Sequence, residues 1–227
     1  MTVDYLNNPN QRTPCVLVLD ASGSMGYNSH SGVVAIDELN AGLVEFENSL
    51  KADPAALTRV QVAIICVGGP NNNASLLLDW TDCTNFEAFK LVASGGTPLA
   101  EGILLAHETI ERGKQELRAA GISYTRPWMF VISDGEPTSP DPLWQQAVQE
   151  TIGAQQQKKV EVFPIAVQGA NIQKMSQLSH RPPITLEGLK FRELFVWLTG
   201  SLSAAAKSRP GDDVKLPPTD PWRNVGI

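Results

Sequence analysis

Four stretches of this chain are apolar without alternation. Cys15-Val16-Leu17-Val18-Leu19 is one, and residues 60–67, 128–133 and 160–167 repeat the pattern. A strand with one face in water shows a polar residue at every second position. Runs that lack that alternation are buried on both faces, as in the middle of a parallel sheet covered by helices. The segments between them carry helical periodicity. Ile36, Leu39, Leu43, Phe46 and Leu50 recur three and four residues apart, as do Leu99, Ile103, Ala106, Ile110 and Leu117 in a segment ending near Gly121. Trp144, Val148 and Ile152 suggest a shorter helix, 172–178 another, and Phe191, Leu194, Phe195, Leu198 and Leu202 a last one with a core-facing stripe. One connection differs. Gly68-Gly69-Pro70-Asn71-Asn72-Asn73 is a turn too short for a crossover, so the strand after it, 75–80, runs antiparallel to the strand before it. With a weak final strand at 184–186, the pattern predicts an α/β fold: an open, mostly parallel sheet with helices on both faces. In such sheets ligands bind beyond the strand C-termini, where the strand order reverses.

A length of 227 residues suits one domain with a generous core, and 42% hydrophobic with 19% charged residues is an ordinary globular composition. The net charge of -6, without a cluster of Lys and Arg, argues against nucleic acid as a partner. Residues 62–67 are too few to cross a bilayer, so no membrane role is expected. The N-terminal residues show no basic and apolar leader pattern, and Cys15, Cys66 and Cys83 lack metal-ligand spacing. A cytoplasmic protein with buried, reduced thiols is the expectation. From Lys207 the composition turns to Pro, Asp and Gly, which marks 207–227 as a tail.

Five residues carry the candidate chemistry. Asp20, Ser22 and Ser24 follow directly on the first apolar run; Thr97 follows the Gly95-Gly96 pair and precedes Pro98; Asp134 ends another apolar run. Two short hydroxyls at i and i+2 can turn toward one ion, the Thr97 hydroxyl adds a third, and the two carboxylates supply charge directly or through water. Mg²⁺ takes about six hard oxygen ligands, keeps some waters and needs only one or two carboxylates. The set therefore points to Mg²⁺ or Mn²⁺ ahead of Ca²⁺, which takes more oxygens and more acidic cages. An ion held mostly by neutral ligands stays electrophilic and favours an incoming carboxylate.

Asp20-x-Ser22-x-Ser24, Gly95-Gly96-Thr97-Pro98 and Ser133-Asp134-Gly135, in this order, resemble the metal ion-dependent adhesion site of von Willebrand factor A (vWA) domains. The resemblance covers the chain from about Cys15 to the last helix, leaving 1–14 as an N-terminal extension and 15–206 as the domain. It implies a vWA/Rossmann-like, six-stranded sheet with one antiparallel edge strand. It further implies Ser22, Ser24 and Thr97 as direct metal ligands, with Asp20 and Asp134 acting largely through waters. Ser94-Gly95-Gly96-Thr97, Ser133-Asp134-Gly135-Glu136-Pro137-Thr138 and a tail with Leu216-Pro217-Pro218 and Trp222 are similar to bacterial, cytosolic TerY-type proteins associated with tellurite resistance. Those are commonly linked with a protein kinase and a metal-dependent protein phosphatase, which implies an adaptor in stress or phosphorylation signalling.

The competing class is a Mg²⁺-dependent phosphatase or phosphotransferase with Asp20 as nucleophile at a strand end. Such enzymes place a second aspartate two residues on as general acid, and Ser22 stands there instead. No Gly-x-Ser-x-Gly surrounds the serines and no Walker-type loop is present. A non-enzymatic binding module, with a partner protein supplying an Asp or Glu to the metal, is the expected function. His30 is read either as a solvated loop residue or as part of the site's rim, Glu136 and Asp141 as solvent-facing turn residues ahead of an enlarged acidic rim, and His107 and His180 as a helix-surface and a loop residue. Trp80, Trp128, Trp144 and Trp197 are assigned to the core, while Trp222 in the tail has no evident core.

Overall fold

A computed structural model describes residues 8–27, 32–134, 136–167, 169–186, 188–208 and 214–218. In chain order the elements are β1 (Thr13–Ala21), α1 (Ala35–Ala52), α2 (Pro54–Arg59), β2 (Val60–Gly68), β3 (Asn73–Asp82), α3 (Leu99–Ala119), β4 (Trp128–Ser133), α4 (Asp141–Gln156), β5 (Glu161–Ala166), α5 (Ile172–Met175), β6 (Ile184–Thr185) and α6 (Phe191–Lys207). The strands form one six-stranded sheet in the order β3-β2-β1-β4-β5-β6. Every neighbouring pair is parallel except β2 with β3, as the short turn requires. This is the open, mainly parallel α/β sheet that the sequence pattern predicts, with its antiparallel strand at the edge as the resemblance implies.

All nine residues of β1 are buried because successive side chains enter different cores. Cys15, Leu17 and Leu19 pack with the apolar stripes of α1 and α6, including Leu39, Leu43, Phe46, Phe195 and Leu198. Val16 and Val18 pack on the other face with Leu99, Ile103 and Ala106 of α3 and Trp144 of α4. Trp80, Trp128, Trp144 and Trp197 are all buried, as are the three free cysteines. The chain leaves β1 by α1 on one face and reaches β4 by α3 on the other, so the strand order reverses between β1 and β4.

Local signals set several boundaries. Helix α3 stops because Gly121 takes φ 68°, with Gly121 N–H donating to Arg118 O at 3.0 Å and Ile122 N–H to Leu117 O at 2.9 Å. Six residues are too few to reveal α2 by apolar spacing; its signal is Asp53-Pro54, where the Asp53 side chain accepts from the Ala55 and Ala56 amides and proline occupies the first turn. The helical segment expected at 172–178 is four α-helical residues followed by a 3₁₀ turn, Ser176–Leu178.

The helix suggested by Trp144, Val148 and Ile152 is α4, whose buried face is Trp144, Ala147 and Thr151, with Val148 and Ile152 half-buried. One expectation is corrected: His107 is buried instead of lying on the helix surface. His107 Nε2 and Thr151 Oγ1 are 2.8 Å apart, so the α3–α4 seam includes a satisfied polar pair that hydrophobic periodicity cannot register. Burial lowers the His107 pKa to about 4, with Glu111 opposing and Lys114 reinforcing the shift.

The described part of the tail lies against the domain. Val214 and Leu216 pack on the α1–α6 core, and Trp197 Nε1 donates to Pro217 O at 2.9 Å. His30, Gly135 and Trp222 lie outside the described residues. Among the described residues no helix is long and apolar enough to cross a membrane.

Candidate metal centre

Asp20 is the eighth residue of β1 and pairs with Val67 of β2, which puts its side chain at the C-terminal edge of the sheet. It is fully buried with both oxygens engaged. Oδ1 accepts the Ser22 amide at 2.8 Å and Oδ2 accepts the Ser133 hydroxyl at 2.5 Å. After Ser22 the chain makes a 3₁₀ turn, Gly23–Gly26, anchored by the fully buried Met25. That turn brings the two serine hydroxyls within 2.9 Å of one another, and Ser24 Oγ donates to Asp134 Oδ1 at 2.8 Å. A continuous line of oxygens thus runs from Ser22 through Ser24 to Asp134, the last two 110 positions apart in sequence.

The third loop closes on this line through its backbone. Gly23 N–H donates to Gly95 O at 2.9 Å, and Ser94 N–H donates to Ala21 O at 2.9 Å. Gly68 lets the two loops meet: a Cβ there would lie 2.6 Å from Gly96 O and 2.9 Å from Ser22 Cα. Thr97 is buried and leads into α3. The structure therefore brings all five sequence-derived residues to one end of the sheet, beside the β1–β4 reversal. Glu136 and Asp141 stay outside it, Glu136 accepting from Asn171 Nδ2 and Asp141 lying 3.3 Å from Lys174 Nζ. His180 is an exposed loop residue.

The electrostatics suit a cation. Burial raises the Asp20 pKa, opposed by the hydrogen bonds from Ser133 and Ser22. Burial, reinforced by the Asp20 charge, pushes Asp134 up to about 6, against the Ser24 hydrogen bond. Both carboxylates are held in a setting where their negative charge is costly, and a positive ion between the loops relieves that cost. Ser24 can offer an oxygen lone pair to such an ion while its O–H still donates to Asp134 Oδ1. Among the described residues there is no group of three or more His, Cys, Asp or Glu side chains that could hold a metal ion, and the oxygens gathered here are those of hydroxyls and two acids.

Sequence reasoning passed over three contributors. Ser133 orients Asp20, Thr138 bonds both peptide groups of Thr97, and Asn72 accepts from Gly96 N–H. Ser133 did leave a trace, as a hydroxyl closing an otherwise apolar strand. Nothing in Asn71-Asn72-Asn73 distinguishes the asparagine that reaches the loop.

A doubly wound sheet with hydroxyl and carboxylate oxygens gathered at its strand-order reversal defines the class: an open-sheet α/β domain. More specifically, the von Willebrand factor type A domain profile matches residues 15–193, and the chain belongs to that family. Domains of this family generally mediate protein–protein interactions. Rv2850c of Mycobacterium tuberculosis, described as an uncharacterized protein, is 36% identical over 132 residues; these are 56% of this chain and 18% of that protein. The chain therefore spans about a fifth of that relative's length. Among solved structures, the vWF domain of the type V pili tip protein Mfa5 from Porphyromonas gingivalis has a TM-score of 0.64 at 11% identity, covering 89% of this chain and 99% of that one. The open conformation of the pilus adhesin SpaC from Lactobacillus rhamnosus GG has a TM-score of 0.65 at 14% identity, covering 86% of this chain and 30% of that one. At such identities the likeness is one of fold.

Proposed function

We propose that this chain is a non-enzymatic, cation-dependent protein-binding module that acts in the cytosol. Its Mg²⁺ or Mn²⁺ is held by Ser22, Ser24 and Thr97, with Asp20 and Asp134 supplying charge, and an Asp or Glu of a partner protein completes the shell. The observation that carries the reading is the oxygen line Ser22–Ser24–Asp134, joined through Gly23 and Gly95 to the Thr97 loop. Covering the ion with the partner's surface lowers the local screening, so a single carboxylate contact becomes strong. The similarity to TerY-type proteins supports a role as adaptor in a tellurite-resistance-type stress or phosphorylation system, beside a protein kinase and a metal-dependent protein phosphatase.

The burial of Asp20 favours binding over the phosphatase alternative. A nucleophile needs an oxygen open to substrate, whereas both Asp20 oxygens are occupied by Ser22 N–H and Ser133 Oγ. Calorimetric titration with Mg²⁺ and Mn²⁺ tests the metal, and affinity capture from cytosol with Mg²⁺ or with chelator tests the partner. At a metal concentration one hundred times Kd, stabilisation of about 2.7 kcal/mol is expected for wild type and none for Asp20→Ala or Thr97→Ala. Failure to bind either ion, or capture indifferent to chelator, refutes the reading.

A further inference from the structure

We propose that Thr138 is the positioning residue that aims Thr97 at the metal, with Asn72 fixing the same loop on its other side. The assignment rests on the reading of Thr97 as a metal ligand. Thr138 grips both peptide groups that flank the Thr97 Cα. Its Oγ1 accepts the Thr97 amide at 3.0 Å, and its own amide donates to Thr97 O at 2.9 Å. Two bonds on either side of one Cα fix that residue's backbone angles, and these set the direction of its Cβ, from which the hydroxyl turns about the single χ1 bond.

One residue earlier, Gly96 N–H donates to Asn72 Oδ1 at 2.6 Å. The two holding side chains come so close that a Cβ on Gly96 would stand 3.1 Å from Thr138 Oγ1 and 3.4 Å from Asn72 Oδ1. Gly95 leaves room for the same asparagine, since a Cβ there would meet Asn72 Oδ1 at 2.6 Å. Thr138 is itself held, because Ser139 Oγ accepts the Ala100 amide at 3.0 Å and donates to Glu101, both in the first turn of α3. Thr138 also lies four residues beyond Asp134, so the same stretch of chain carries a carboxylate of the site and the clamp on the Thr97 backbone. Residues that orient metal ligands typically change metal affinity by about 10–100-fold when removed.

The test is an electron paramagnetic resonance titration of the full chain with Mn²⁺, repeated as competition by Mg²⁺, with melting of the metal-free protein measured alongside. Thr138→Val deletes the hydroxyl at nearly constant volume, and Thr138→Ser retains it. Thr138→Val is expected to weaken Mn²⁺ binding by about 10–100-fold, while Thr138→Ser stays within about threefold of wild type. A merely structural role would not make affinity follow the hydroxyl. If Thr138→Val does not fold, Asn72→Ala provides the independent arm, with a loss of about tenfold expected from the same loosened loop. The assignment is overturned if Thr138→Val, or Asn72→Ala in its place, binds Mn²⁺ like wild type while Thr97→Ala has lost it. A wild-type chain that takes up no Mn²⁺ overturns the metal reading and this assignment with it.

Discussion

Gly68 is where the two halves of the proposed site touch, and replacing it with alanine measures how close that contact is. Its φ of +83° lies where a side chain costs about 1–2 kcal/mol. The added Cβ would meet Gly96 O at 2.6 Å and the Ser22 Cα and N at 2.9 Å, all backbone atoms that cannot rotate away. Relieving such overlap by shifting the chain costs roughly 1–3 kcal/mol more. Gly68→Ala should therefore destabilise the protein by about 2–5 kcal/mol, lowering the melting temperature by about 4–10 °C for a chain of this length. Gly121→Ala is the control, since Gly121 has a similar φ of +68° but nothing within 4 Å of an added Cβ. It should lose about 1–2 kcal/mol, the conformational part alone. Differential scanning calorimetry of the two variants without metal separates the terms. Equal melting temperatures would refute the claim that the serine loop and the Gly96 loop meet across Gly68.

Three further perturbations probe other parts of the molecule. His107 should make stability fall with acid: its folded pKa of about 4 lies below the ordinary 6.5, so its contribution is complete above pH 6.5 and fades as pH drops to 4. The difference amounts to about 3 kcal/mol, and urea titrations from pH 7 to 4 should show His107→Gln losing that part of the slope; parallel curves would contradict it. Gly113→Ala should destabilise α3 by about 1–3 kcal/mol despite alanine's better helix propensity, because its Cβ would fall 2.2 Å from Trp80 Nε1, which donates to Thr109 O at 3.0 Å. A thermal melt showing stabilisation would disprove that packing. Trp197→Phe removes the hydrogen bond to Pro217 O, worth about 1 kcal/mol, and should speed tryptic cleavage at the exposed Lys215 while leaving the domain intact. An unchanged cleavage rate would mean the tail is held by other contacts.

The architecture was legible because its causes are short-range. Continuous apolar runs mark strands buried on both faces, the stripes of α1, α3 and α6 mark helices that cover them, and a six-residue Gly-Pro-Asn turn permits only an antiparallel partner. Polar contacts across the fold left no such trace. His107 read as a surface residue because periodicity weighs hydrophobicity and is blind to Thr151, which satisfies it from another helix.

The candidate site divides along the same line. Sequence singled out the five oxygen-bearing candidates and determined the strand ends beside them, since each lies within a few residues of an apolar run or a Gly-Gly pair. The tertiary structure alone decided what steers them: Ser133 on Asp20, Asn72 and Thr138 on the Thr97 loop, Gly68 at the crossing of two loops. Those contacts link residues 24 to 113 positions apart. Hydrogen bonds over such separations depend on how the sheet stacks its strands side by side, and a one-dimensional pattern does not record which loops the stacking makes neighbours.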